Sequence, residues 1–396
     1  MSRNAKGNGN IRKIERTRNG KKQIIWQARY TAGRDPVTGK QIQRSLYAQT
    51  QKEAAQKLKE ITLSIDNGTY IAPSKMTVGE WFDTWQKDYT NDIKESTSYL
   101  YKRTIKLYVT PHLGEVRLDK LDSHMIQVCY NELLHPKDET VKPISPKTVK
   151  NVHGVLHKGL QQAVDNGYLS SNPTNACKLP KIERAELHLP DESLIAAFLK
   201  EIQGHQYEHL YTIALLTGLR ESEVLGLTWE SVDLDNGTLT VKQQLRRGQE
   251  KGRGYYISST KNGKTRILAL SPSVINAFKL QKLQQEEWRD DAGELWTGNK
   301  DGMVFTNRIG EYLSYRTVYD CFKRIVKRLG SPKTRFHDLR HAYAMIALKS
   351  GVDMETVKEN LGHSTSDFTA RVYAYSTNEM KRDGANKVEA FIQSLT

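Results

Sequence analysis

The feature that most constrains this chain is the hairpin signal near its start. Asn19-Gly20 favours positive φ at both centres of a two-residue loop, and alternating runs flank it. On one side Ile24, Trp26, Ala28 and Tyr30 recur at every second position, the period of a half-buried strand. The reading is a strand over 11–17, the turn, and a strand over 22–31. Asp35-Pro36-Val37-Thr38-Gly39 makes a second turn into a strand over 41–47. Thr50 with Glu53 three positions on is a capping box, so a helix should run from there to about Ile65 and cover one face of the sheet.

This small unit is also where the charge lies. The chain has a net charge of +15, and residues 1–65 hold fifteen Lys and Arg against four Asp and Glu. An excess of this size suits a polyanionic partner. A solvated basic tail is the plainer reading, but tails lack strand alternation and turns. The uncovered strand face is rich in Arg and Gln and has the width of a β-ribbon that fits a DNA major groove. Arg12, Arg16, Lys22, Arg29 and Arg44 are the candidate DNA contacts in this segment.

A chain of 396 residues is too long for one compact core. Breaks at Asn67-Gly68 and Ala72-Pro73-Ser74 put a first boundary near 72; Asn172-Pro173 and Leu179-Pro180 put a second near 182. Between them lie helical patterns over 77–89, 95–108, 122–134 and 145–166, the first opened by a Thr77/Glu80 capping box. Lys102, Arg103, Lys106, Lys147, Lys150, His153, His157 and Lys158 recur at three- or four-residue offsets, which groups several on helix faces that could meet phosphates. Ordinary solvated faces give the same spacing. The expected class is a multidomain α+β chain: a three-stranded sheet with one helix (1–72), a helical bundle (73–182), and a mostly α domain with a small antiparallel sheet (183–396).

No apolar run approaches the ~20 residues that span a bilayer, and the first ten residues hold no secretory signal, so a cytoplasmic location is expected with no membrane partner. Cys129, Cys177 and Cys321 are odd in number and far apart, which argues for reduced thiols. No metal-ligand spacing and no phosphate-cradling glycine loop is present, so neither a metal nor a nucleotide cofactor is expected.

In the last domain a helix opens at Pro190-Asp191-Glu192, and an apolar helix over 211–218 runs into Leu219-Arg220-Glu221-Ser222-Glu223. Short β-like runs over 239–244, 255–259 and 265–270 enclose the Asn262-Gly263 turn with Lys261 and Lys264 beside it. Farther on, His337 and Arg340 stand at i and i+3 of a helical pattern. A purely structural reading would have His337 packed and Arg340 paired with Asp338. Leu361-Gly362-His363 follows, with Tyr373 ten positions beyond His363. Two arginines, a lysine, two histidines and a tyrosine together suit attack on a phosphodiester, with cations holding the equatorial oxygens.

The ordered set Thr217-Gly218-Leu219-Arg220-x-x-Glu223, Lys261, His337-x-x-Arg340, Leu361-Gly362-His363 and Tyr373 resembles the tyrosine recombinase (phage integrase) family. The plan of the whole chain is similar to integrases of phages and conjugative transposons of Gram-positive bacteria. The resemblance implies an arm-type DNA-binding domain, a core-binding domain and a catalytic domain, in that order. It implies a site-specific recombinase that integrates and excises a mobile element or prophage through a 3′-phosphotyrosyl intermediate. Tyr373 would be the nucleophile. Arg220 and Arg340 would clamp the non-bridging oxygens, and Lys261 would protonate the leaving 5′-oxygen. His337 would assist proton transfer at the tyrosine and His363 would bond the phosphate, although either histidine can play either part. Glu223 would orient its neighbours.

The partners so implied are double-stranded DNA with core and arm-type sites, a homotetramer on that DNA, and excisionase and DNA-bending proteins as candidate accessories. The sequence departs from the family pattern in Asn262-Gly263 after the lysine, which leaves Lys264 as a substitute, and in Tyr375, a second nearby tyrosine. A last helix over 386–395 carries Val388, Phe391, Ile392 and Leu395 as an apolar stripe, to dock in cis or on a neighbouring subunit. A regulator that kept the fold without the chemistry, and a type IB topoisomerase, are the competing readings.

Overall fold

The structure, a computed structural model, describes residues 10–18, 21–34, 38–67, 70, 75–183, 190–248, 254–260, 263–362, 388–389 and 392–395. The chain separates into two compact units, Met1–Arg184 and Ala185–Thr396.

The first unit opens with an antiparallel meander of β1 (Asn10–Arg18), β2 (Lys21–Arg34) and β3 (Gln41–Ala48), then α1 (Gln51–Asp66). Thr50 caps α1 by accepting from the Glu53 amide. The register pairs Ala28 with Leu46 and Tyr30 with Arg44, and Ala28 and Tyr30 pack on Leu58 of α1. The alternate positions form the other face, where Arg12 donates to Gln27 (2.8 Å) and Gln27 donates to Ser45 (2.9 Å).

A separate core holds the helices of the same unit. These are α2 (Val78–Asp88), α3 (Glu95–Thr104), α4 (Thr110–Leu113), α5 (Ser123–Leu134) and α6 (Pro146–Asp165). The capping box expected at Thr77 and Glu80 is complete in both directions. Val149, Val152, Leu156, Leu160 and Ala163 line the buried stripe of α6 at helical spacing. Against it packs the aromatic face of α2: the Trp81 indole donates to the Gly159 carbonyl (2.9 Å), and a Cβ at Gly159 would stand 2.2 Å from the Phe82 ring. A π-turn over Ile105–Val109 joins α3 to α4, and Pro111, which has no N–H to donate, sits in the first turn of α4.

The second unit contains α7 (Glu192–Glu201), α8 (Glu208–Thr217) and α9 (Glu221–Val224). Then come β4 (Val232–Asp233), β5 (Thr238–Val241), β6 (Gln243–Arg247), β7 (Tyr255–Ser259) and β8 (Arg266–Ala269). The unit continues with α10 (Pro272–Ala292), α11 (Tyr315–Arg328), α12 (His337–Lys349) and α13 (Met354–Leu361). The strands form a β4-β5-β8 sheet and a separate β6-β7 pair, all antiparallel. The run read as one strand over 239–244 is therefore two, broken at Lys242 as the chain passes between sheets. One core gathers α8, α10 and α11, with Tyr211, Phe278 and Phe322 almost wholly buried. Cys129, Cys177 and Cys321 are free thiols. Among the described residues no helix is long and apolar enough to cross a membrane.

Candidate active site

The site is built where three segments, remote in sequence, meet beside β8. The first is the end of α8. Gly218 takes a left-handed conformation (φ 63°) that lets the chain leave the helix, and a Cβ there would lie 2.5 Å from Tyr343 Cδ1 and 2.7 Å from Leu361 Cδ2. The turn brings Arg220 to the start of α9, where the Glu223 carboxylate accepts both its backbone N–H (3.0 Å) and its Nη1 (2.7 Å).

The second segment is α12. Arg340 is 1% exposed, and its guanidinium donates to the carbonyls of Gly218 (2.8 Å) and Leu361. Its Nε is buried and has no hydrogen-bond partner among the described residues. Burial, and then the Arg220 charge, lower the Arg340 pKa to about 9, which leaves it cationic at neutral pH. Asp338 does not pair with Arg340. It accepts from the Arg335 amide (2.7 Å) and guanidinium (2.7 Å) instead.

The third segment is the end of α13, where Gly362 is left-handed (φ 61°). Arg220 Nη2 donates to the Gly362 carbonyl (3.2 Å), so the two guanidinia rest on carbonyls of consecutive residues, Leu361 and Gly362. The next residue in the chain is His363.

Glu223, 1% exposed, binds this arrangement together. Arg266 of β8 forks onto both its carboxylate oxygens, at 3.1 and 2.7 Å. Burial alone would raise the carboxyl pKa, but hydrogen bonding to Arg266 and the charges of Arg266 and Arg220 hold it down to about 2. Three arginines and one carboxylate leave the cluster positive, which suits a phosphate. A cavity of about 530 Å³ opens onto it, lined by Arg220, Lys264, Arg266, Lys358 and Gly362, with Glu355 and Glu359 at its wall.

His337 is exposed at the start of α12, its ring edge-on to His341 at 4.7 Å. The surrounding protein and then Arg340 lower its pKa toward 4, a shift that water at the exposed edge screens, and the ring is neutral at pH 7. It can therefore accept a proton.

The structure thus brings Arg220, Arg340, Glu223 and Arg266 into one network and sets Lys264 on its cavity. Lys261, His363, Tyr373 and Tyr375 lie outside the described residues, as does Phe391 of the terminal stripe; Val388, Ile392 and Leu395 are exposed. On either side of positions 261–262, Thr260 Oγ1 donates to the Lys264 carbonyl (2.9 Å). Sequence reading missed Arg266. Its signal in the sequence is its place, two residues after Lys264.

Of the expected DNA contacts, Arg29 is exposed and Arg12 shares its face, whereas Arg44 pairs in register with Tyr30 on the face that packs α1. The side chains of Arg16 and Lys22 lie outside the described residues. Lys102, Arg103 and Lys147 are exposed and Lys150 is half-buried.

Comparison with known proteins gives the class. Residues 191–380 match the phage integrase family, and residues 77–134 match the phage integrase N-terminal SAM-like domain. A tyrosine recombinase XerC-like protein of Caldanaerobacter subterraneus subsp. tengcongensis is 30% identical over 96% of this chain and 98% of its own length. The chain belongs to the phage integrase family of tyrosine recombinases, and it is a site-specific DNA recombinase of the kind that moves mobile elements by cutting and rejoining strands. The ICEBs1 integrase of Bacillus subtilis is 25% identical over 92% of this chain and 96% of its own length. Among solved structures, the Tn1549 transposon integrase in complex with circular intermediate DNA shares the fold with a TM-score of 0.65, at 22% identity over 79% of this chain and 99% of that one. The lambda integrase tetramer bound to a Holliday junction does so at 0.56, with 17% identity over 87% of this chain and 91% of that one.

Proposed function

We propose that this recombinase cleaves DNA through Tyr373, with its phosphate held between Arg220 and Arg340. The observation that carries this is the seating of both guanidinia on the adjacent Leu361 and Gly362 carbonyls, one of them with a buried Nε that has no partner among the described residues. A phosphate oxygen placed there would take up that donor, and desolvation makes such a bond strong. The Tyr373 oxygen attacks phosphorus and gives up its proton to neutral His337. The bond from phosphorus to the 5′-oxygen breaks, and Lys261 protonates the leaving oxygen. His363 bonds the phosphate. A 5′-hydroxyl from another strand reverses these steps, so the energy of the broken bond is kept. Lys264 on the cavity wall is the second candidate for the acid.

In this reading residues 1–72 bind arm-type sites, with Arg12 and Arg29 on the open sheet face. Residues 73–182 grip the core site through Lys102, Arg103, Lys147 and Lys150, and residues 183–396 carry out the chemistry. Four copies assemble on DNA, with excisionase and bending proteins setting direction. The solved relatives on circular intermediate DNA and on a Holliday junction support this plan. The test is Arg220→Ala and Arg340→Ala in single-turnover cleavage. A loss of about 100-fold or more with DNA still bound is expected; cleavage at the wild-type rate in either variant would overturn the assignment.

A further inference from the structure

We infer that Arg266 is a positioning residue for strand cleavage, the support that fixes Arg220 and the Gly362 turn in their working geometry. The inference rests on the reading just given, in which Arg220 holds the phosphate. Arg266 does not need to touch DNA to act; it acts through its neighbours.

Three observations carry it. First, the Arg266 guanidinium spends both terminal nitrogens on Glu223, and the same carboxylate holds Arg220 by its backbone and its side chain. Glu223 has two oxygens for these four donors, so its orientation, and with it that of Arg220, is set by the Arg266 fork. Second, Arg266 Nε donates to the Asn360 carbonyl (2.8 Å), two residues before Gly362. Third, Gly362 lies flat against the Arg266 side chain: a Cβ there would be 3.0 Å from Nη1 and 3.3 Å from Cζ. The one side chain therefore ties the first motif to the segment that leads into His363.

The chemistry explains why an arginine stands here. A lysine in the same place would be a point charge with one nitrogen, unable to meet two carboxylate oxygens and a carbonyl at fixed angles. Arg266 is also 12% exposed, so its bonds to a fully buried carboxylate face little competition from water. Errors of about 1 Å in the placement of a reacting group cost ~100-fold in rate, and loss of this fork frees both Arg220 and the turn to move by such amounts.

The experiment compares the full-length wild type with Tyr373→Phe, Arg266→Lys and Arg266→Ala on labelled duplexes tiled across both flanks of its gene. Equilibrium binding and single-turnover formation of an SDS-resistant adduct are both measured, with the melting temperature of each variant beside them. Arg266→Lys should bind within about threefold of wild type and form adduct about 100-fold more slowly. Adding methylguanidinium should recover part of the rate in Arg266→Ala and nothing in wild type, a response that a merely structural role would not produce. Should Arg266→Ala fail to fold, Arg266→Lys alone decides. Wild-type cleavage by Arg266→Lys overturns the inference, and so does a fall in cleavage that only follows a fall in binding. A wild type that binds but forms no Tyr373-dependent adduct overturns the underlying reading, and this inference with it.

Discussion

Replacing Gly218 with alanine tests the packing at the centre of the site. Two costs add. The left-handed backbone (φ 63°) penalises an L-residue by roughly 1–2 kcal/mol. The new methyl must also displace Tyr343 and Leu361, whose atoms stand at 2.5 and 2.7 Å, an overpacking that costs about 1–3 kcal/mol. Gly204 separates the two. It is also left-handed (φ 71°), but nothing lies within 4 Å of its virtual Cβ, so Gly204→Ala carries the backbone cost alone. At roughly 2–4 °C per kcal/mol for a domain of this size, Gly204→Ala should lower the melting temperature of the full chain by a few degrees and Gly218→Ala by clearly more, up to about 20 °C. Differential scanning calorimetry on the two variants is the assay. Because the Gly218 carbonyl holds Arg340, cleavage should fall in Gly218→Ala only. Equal melting shifts would refute the close packing, and unchanged cleavage in a destabilised Gly218→Ala would refute the link from that packing to Arg340.

Three further outcomes follow from the same geometry. Glu223→Gln keeps shape but leaves Arg220 and Arg266 facing a neutral amide; breaking a buried pair this way should cost about 3 kcal/mol in chemical denaturation, and a loss below ~1 kcal/mol would contradict the network. Acid should unfold the protein in two windows. His341, 8% exposed, has its pKa lowered from 6.5 to about 4 by burial and then by His337, so the unfolded chain binds the extra proton and stability falls as pH drops from about 6.5 to 4. Glu223, held at about 2 against 4.5, contributes stability that is complete above 4.5 and lost as pH falls from there toward 2, each group being worth about 3 kcal/mol. A melting profile flat from pH 7 to 4, or an acid limb that persists unaltered in His341→Gln, would contradict the first. In the sheet unit, Arg12→Ala and Arg29→Ala should each lower the salt dependence of DNA binding by about one unit of slope, read from fluorescence anisotropy at several salt concentrations, whereas Arg44→Ala, on the opposite face, should change it less. Identical slopes for all three would count against the open face as the contact surface.

Local signals in the sequence located elements well where the signal was itself local. The Asn19-Gly20 turn and the Thr50 and Thr77 caps need only neighbouring residues, and β1, β2, α1 and α2 lie close to where those signals put them. The helical pattern over 95–108 stops short of Pro111, but the chain widens into a π-turn over Ile105–Val109 and resumes helix with Pro111 in the first turn. The helix α11 is legible by the same rule, with Val318, Cys321, Phe322, Ile325 and Val326 at helical spacing and basic residues on its open face. In the site, Arg220, Glu223 and Arg340 were legible because family order marks them. Arg266 was not, since its meaning arises only when β8, α9 and the end of α13 meet, and no spacing along the chain encodes that meeting. The i, i+3 relation of His337 and Arg340 was also less informative than it looked: one is exposed and the other buried.

The most direct test of the account is covalent capture. Full-length protein is incubated in EDTA with labelled duplexes from both flanks of its gene, denatured in SDS and resolved by size, with Tyr373→Phe and Tyr375→Phe alongside. The account predicts a protein–DNA adduct that protease shortens, present in wild type and Tyr375→Phe and absent in Tyr373→Phe, with DNA binding equal in all three. An adduct that survives in Tyr373→Phe, or a bound and verified site that never yields one, would contradict it.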